Sequence, residues 1–173
     1  MPIEKRWVVK PQGDRATVEA LASRLGMPTV LTNLLVQRGI DTEEKARRFF
    51  SPALRDLHDP FLMKDMDKAV ERIERAVKAG EKVMIYGDYD VDGTTAVALV
   101  YKFLSQIGHK NLTFYIPDRY VDGYGISFRS IDHAVRKGVK LVIALDCGIK
   151  AVEKVAYAKQ KGVDFIICDH HLP

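Results

Sequence analysis

Long apolar runs, cysteines and blocks of one charge sign are what this 173-residue sequence has least of. Apolar runs such as residues 141–145, LVIAL, fall far short of the roughly 20 residues that a membrane helix needs. The opening MPIEKRWVV has no apolar signal core, so a cytoplasmic location and no membrane partner are expected. Two cysteines, Cys147 and Cys168, match no CxxC spacing and suit a reducing compartment. No disulfide framework is implied, and both are expected to be small buried hydrophobes. No basic run stands out either: residues 1–80 carry 15 basic and 12 acidic groups, residues 81–173 carry 12 and 11.

What is present is 47% hydrophobic and 29% charged, which excludes a disordered or collagen-like chain. A chain of this length hides roughly two-thirds of its unfolded surface. Residues 1–60 read as helical and irregular, with helices expected at 16–25, 29–37 and 42–50. Residues 57–64 contain His58-Asp59-Pro60 and read as a linker, because the residue before proline is pushed out of the helical region. Next, Met66, Ala69, Val70, Ile73 and Val77 fall on one face of a helix. From Gly80 onward one pattern recurs: glycine, short apolar strand, polar loop, amphipathic helix. Strands are expected at 83–86, 112–116, 141–145 and 165–168, with helices at 95–107, 128–137 and 151–161. Each helix stops where Gly80, Gly108, Gly138 or Gly162 can take the left-handed conformation. The reading is an α/β fold, a parallel sheet of four or more strands with helices on both faces, preceded by a helical segment.

Ligands of open parallel sheets bind beyond the carboxyl ends of the strands, and the acids of this chain collect there. Strand one runs into Asp88, Asp90 and Asp92, strand three into Asp146, and strand four into Asp169, His170 and His171. Without those five aspartates, residues 81–173 hold 12 basic against 6 acidic groups, a surround that suits a polyanionic substrate.

The segment GDYDVDGTTA, residues 87–96, opens three known kinds of site. A calcium loop requires Glu at its twelfth position, where this chain has Leu99, and a helix where a strand precedes. A haloacid-dehalogenase-like phosphohydrolase would use Asp90 as nucleophile and Asp92 as acid/base. That family follows its first strand with a flap and adds further acids after its last core strand, whereas this chain runs into a helix and offers Asp169-His170-His171. The third kind is a metal centre. Carboxylate oxygens mixed with imidazole suit manganese or magnesium, manganese being favoured by the nitrogen ligand. Two such ions can hold an attacking water and a phosphate oxygen together.

The motifs Gly80-Glu81, GDYDVDGTTA, Tyr115-Ile116-Pro117-Asp118-Arg119, Gly123-Tyr124-Gly125, Leu145-Asp146-Cys147-Gly148-Ile149 and Asp169-His170-His171-Leu172-Pro173 occur in an order that resembles the DHH phosphoesterase superfamily. Within it the chain is similar to the bacterial single-stranded-DNA exonucleases, whose lead-in also resembles Asp59-Pro60-Phe61-Leu62 and Asp65-Met66. The resemblance implies that Asp88, Asp90, Asp92, Asp146 and His170 hold metal, Asp146 bridging two manganese or magnesium ions. It further implies that Asp90, Asp92, Asp146, His170 and His171 are catalytic, that Asp169 orients the histidines, and that Arg119, Tyr124 and His171 meet substrate. The implied activity is 5′-to-3′ hydrolysis of single-stranded DNA in repair and recombination, with a helicase and a single-strand-binding protein as partners. Residues 1–64 would be the helical lead-in and linker, and residues 65–173 a DHH domain stopping before its last motif. A further metal-binding aspartate and an accessory domain would follow in the family, so this chain is expected to be an amino-terminal portion with weak metal binding and little activity of its own. Two alternatives stand beside this reading: a small phosphodiesterase acting on oligonucleotides or cyclic dinucleotides, and a non-catalytic module that binds nucleic acid or a partner.

Overall fold

Apolar spacing and capping residues divide the chain into two compact units, residues 1–60 and 61–173, and the computed structural model describes residues 6–173. In the first unit, α1 (Arg15–Leu25) begins where the Asp14 carboxylate accepts the Thr17 N–H at 2.9 Å. Helices α2 (Thr29–Val36) and α3 (Glu43–Phe50) follow, and Val18, Leu21, Leu35 and Ala46 bury the faces they share. Short 3-10 turns occupy Leu54–Asp56 and Pro60–Leu62, within and beside the expected linker.

The second unit runs α4 (Met66–Ala79), β1 (Val83–Gly87), α5 (Val91–Gln106), β2 (Leu112–Tyr115), α6 (Phe128–Arg136), β3 (Leu141–Leu145), α7 (Val152–Gln160) and β4 (Asp164–Cys168). All four strands are parallel, in the order β2-β1-β3-β4. Every residue of β1 and β3 is buried, which is why both read as unbroken apolar runs rather than alternating ones. Their side chains alternate between two cores. Met84, Tyr86, Val142 and Ala144 pack with Ile131 and Ala134 of α6 and Ala158 of α7. Val83, Ile85, Leu141 and Ile143 pack with Ala76 of α4 and Val97 and Leu104 of α5. Each such aliphatic side chain contributes roughly 1.5–3 kcal/mol on burial, and together they fix helices on both faces, as the sequence pattern predicts.

Two expectations are corrected. Helix α5 begins at Val91, not at 95, because the Asp90 carboxylate accepts the Gly93 N–H at 3.0 Å and caps it. Gly93 permits this tight entry: a Cβ there would lie 2.4–2.7 Å from backbone atoms of Asp88. Cys147 is buried as expected, but Cys168 is exposed, since it ends β4, which has a strand on one side only.

Candidate metal centre at the carboxyl edge of the sheet

The register of the sheet delivers the acids side by side. Gly87 of β1 pairs with Leu145 of β3, and Leu145 with Cys168 of β4. The next residues are Asp88, Asp146 and Asp169, so three adjacent strands each emit an aspartate at one level. The chain turns from β2 on one side of β1 to β3 on the other, so the acids stand at the switch point where parallel sheets open a crevice.

Around Asp146 the donors converge. His170 Nε2 lies 3.1 Å from Asp146 Oδ1, and donor atoms of Asp146, His170 and His171 all fall within 4.8 Å of one another. Asp146 holds this place with φ of 61°, a left-handed conformation uncommon outside glycine, while its N–H donates to the Cys168 carbonyl at 2.8 Å. The neighbouring Gly148, at φ of 108°, leaves no room for a Cβ, which would sit 2.7 Å from Ile126 and 2.9 Å from Ile167. Asp169 is committed to support: Oδ2 accepts the Ile149 N–H at 2.9 Å, and Oδ1 meets the N–H of His171 at 3.0 Å and its Nδ1 at 2.7 Å. Burial pushes the Asp169 carboxyl up, but these bonds outweigh it and hold its pKa below the usual value; the same pairing raises that of His171. A carboxylate gripping Nδ1 leaves Nε2 of the neutral ring as the free donor atom, the usual arrangement behind a ligating histidine.

Asp88 is the buried wall of the site. It is 1% exposed and its Oδ1 has no hydrogen-bond partner. Burial raises its pKa, the Tyr89 N–H opposes this, and the charges of Asp90 and Asp146 push further upward. The charge of Arg119 opposes them only weakly, and negative charge so little compensated at this depth is costly without a cation. A divalent ion answers it, and the donor set of carboxylate oxygens with imidazole fits manganese or magnesium. Asp90 is exposed and caps α5, close enough to Asp88 and His171 to affect both charges. Asp92 is exposed in the first turn of α5, and none of Asp88, Asp90 and Asp92 is among the residues grouped with Asp146.

The loop after β2 supplies the opposite rim. The Asp118 side chain accepts the N–H groups of Tyr120 and Val121, and Asp122 Oδ2 accepts the Tyr115 hydroxyl at 2.9 Å and the Asp118 N–H at 3.0 Å. This brace turns Arg119 over the Tyr89 ring, 4.5 Å from its centroid. Farther along, the Tyr86 hydroxyl donates to the Gly125 carbonyl at 2.7 Å and anchors Tyr124, whose hydroxyl lies 3.4 Å from His171 Nε2. Tyr124 also meets Tyr89 edge to face at 6.4 Å. Tyr89 went unread in the sequence; its only hint is an aromatic residue set between two alternate aspartates.

Among known proteins, the family described as "DHH family, N-terminal domain" matches residues 82–173. The chain is 40% identical over 168 residues to the single-stranded-DNA-specific exonuclease RecJ of Bacillus subtilis (strain 168), covering 97% of this chain and 21% of that protein. It is 32% identical over 148 residues to RecJ of Escherichia coli (strain K12), covering 85% and 25%. A crystal structure of exonuclease RecJ bound to manganese superposes with a TM-score of 0.59 at 30% identity over 64% of this chain and 28% of that one. RecJ of Thermus thermophilus in complex with Mn2+ shares the fold, with a TM-score of 0.68 at 23% identity over 91% of this chain and 21% of that one. The chain thus spans about a fifth to a quarter of the length of these curated relatives.

Proposed function

The chain belongs to the DHH family, and on that premise we propose that its carboxyl-edge site serves metal-dependent hydrolysis of phosphodiester bonds in single-stranded DNA, proceeding from the 5′ end. The observation that carries this is the buried Asp88, one carboxylate oxygen unpartnered, at the end of the strand next to the Asp146–His170–His171 group, a cluster of acids and imidazoles with metal-ligand chemistry at the ends of β1, β3 and β4. The curated RecJ relatives are named for single-stranded DNA, and a solved RecJ structure is bound to manganese, which supports the substrate and the metal.

In this reading Asp88, Asp90, Asp92, Asp146 and His170 would hold manganese or magnesium. The bound metal supplies polarisation of a phosphate oxygen and a lowered pKa for the attacking water. His171, held by Asp169, stands between the metal side and the substrate side, where its Nε2 also reaches the Tyr124 hydroxyl. Arg119 offers a planar fork to substrate phosphate, and Tyr89 beneath it limits the conformations that the long side chain must give up on binding. Tyr124 offers an exposed ring against which a base can stack. A helicase or a single-strand-binding protein would deliver the strand.

Manganese titration followed by electron paramagnetic resonance tests the metal assignment: Asp146→Asn weakens binding by at least about 100-fold. In an enzyme that contains this chain, Asp90→Ala abolishes release of mononucleotides from single-stranded DNA while DNA binding persists. An active Asp90→Ala enzyme refutes the ligand assignment.

A further inference from the structure

A pocket of about 330 Å3 lies in the first unit, and none of the metal-site residues lines it. Glu44, Arg47 and Arg48 of α3 and Ser51 just beyond its end form one side, Arg55 and Asp56 of the 3-10 turn that follows form the other, and no apolar side chain takes part. Its acids are already engaged. Glu44 Oε1 lies 3.2 Å from Arg48, and Asp56, whose Oδ2 accepts the Ala53 N–H at 2.9 Å, has its Oδ1 3.8 Å from the same arginine. Arg47 and Arg55 make no ion pair among the described residues. Two free guanidinium groups therefore share a small polar pocket with the Ser51 hydroxyl.

Such a lining asks for an oxyanion: nothing in it would hold a ring, and two planar forks match the oxygens of a phosphate group. The volume stands at the lower end of the ~300–1,000 Å3 of small-molecule sites, room for a phosphate with its sugar. Phe50, 54% exposed and three residues from Arg47, is that arginine's neighbour on the helix surface and offers a ring beside the pocket. Cationic groups next to exposed aromatic rings hold single strands without regard to sequence. We propose that this pocket takes a backbone phosphate of single-stranded DNA, with Arg47 and Arg55 on the phosphate and Phe50 beside an adjoining base, so that residues 1–60 carry a strand contact of their own. The assignment goes beyond the metal site and rests on the phosphodiesterase reading only for the choice of DNA among phosphate polymers.

Fluorescence anisotropy of the whole chain with labelled dodecathymidylate in EDTA reads the pocket, because without metal the acids at the carboxyl edge of the sheet repel a strand. Arg47→Gln/Arg55→Gln removes both forks at exposed, unpaired positions, with little risk to folding. Affinity should fall roughly tenfold, and the slope of log K against log salt should flatten by about 0.7, the share of one phosphate contact on a single strand. Lys102→Gln/Lys110→Gln takes the same charge from exposed, unpaired positions of the second unit and should change affinity by less than about twofold. Four results overturn the proposal: no saturable binding by the parent chain, affinity and slope unchanged in the arginine variant, an equal loss in the lysine variant, or displacement of the strand by dodeca-aspartate as readily as by unlabelled dodecathymidylate, which would make the pocket a site for acidic peptide. Manganese titration of the same chains separates this pocket from the metal-site reading. Manganese bound by the parent while the arginine variant keeps full strand affinity sinks the pocket alone. A tenfold loss in that variant, from a parent chain that binds no manganese, sinks the phosphodiesterase reading alone.

Discussion

Arg72 of α4 reaches across the amino edge of the sheet to Asp164 at 2.7 Å and Glu81 at 2.8 Å, tying the entries of β4 and β1 together, while at the carboxyl edge of the same strands Asp88, Asp90 and Asp146 form no ion pair with lysine or arginine among the described residues. Both edges carry acids, but only the first matches them. Matched charge on a partly buried arginine holds elements in register. Unmatched charge raises the free energy of the metal-free fold and is relieved by a cation, which turns the second edge into a binding site at the expense of stability.

Substitutions at the two edges should separate these roles, beginning with packing. Gly93→Ala drives a methyl group into the backbone of Asp88 and should destabilise the chain by about 3 kcal/mol in chemical denaturation. Gly80→Ala at the amino edge meets open space and carries only left-handed strain at φ of 64°, about 1 kcal/mol. Equal losses would deny that the carboxyl edge is the tighter of the two.

Charge comes next. Arg72→Met keeps the aliphatic stem but orphans Glu81 and Asp164, and a loss of about 2 kcal/mol is expected, below the range for fully buried pairs because Asp164 is half exposed. Asp88→Asn should act in the opposite direction, raising the melting temperature of the metal-free chain by roughly 3 °C, or about 1 kcal/mol, while weakening manganese binding. If Asp88→Asn lowers the melting temperature without metal, the carboxyl edge is not electrostatically strained.

The sheet was legible because β1 and β3 are buried on both faces and so write themselves as short apolar runs between glycines. The acids at their ends were legible for the same reason, since a parallel sheet leaves one edge for ligands and Asp88, Asp146 and Asp169 follow the strands directly. The start of α5 was misplaced because Asp-Val-Asp-Gly reads as a turn, whereas Asp90 serves as a helix cap and Gly93 lets the helix close against β1. Contacts made across loops had no local signature. The cation of Arg119 on Tyr89 and the approach of His171 to Tyr124 depend on how the segments after β1, β2 and β4 fold over one another. Arg47 and Arg55 carry no motif and gain meaning only from the pocket they line.

The smallest effect expected is a contrast in pH dependence. His133 of α6 packs against the Tyr115 ring with centroids 5.3 Å apart. Burial lowers its pKa, and the charges of Lys137, Arg136 and Arg129 lower it further. A histidine whose folded pKa lies below its unfolded value of about 6.5 contributes stability that is present above that pH. This contribution is lost as pH falls through the folded pKa. The raised pKa of Asp88 works the other way: its contribution is present below the unfolded value of 3.8 and lost as pH rises through the folded one. On acidification the metal-free chain should therefore lose stability at His133 as pH falls below its unfolded value of 6.5 and regain some at Asp88 as pH falls toward 3.8. His133→Phe keeps the ring contact and removes the titration, so its melting temperature should fall less on acidification than that of the parent chain. Asp88→Asn removes the opposing contribution, so its melting temperature should fall more. If both variants shift the acid slope in the same direction, the two groups do not oppose each other as their surroundings require.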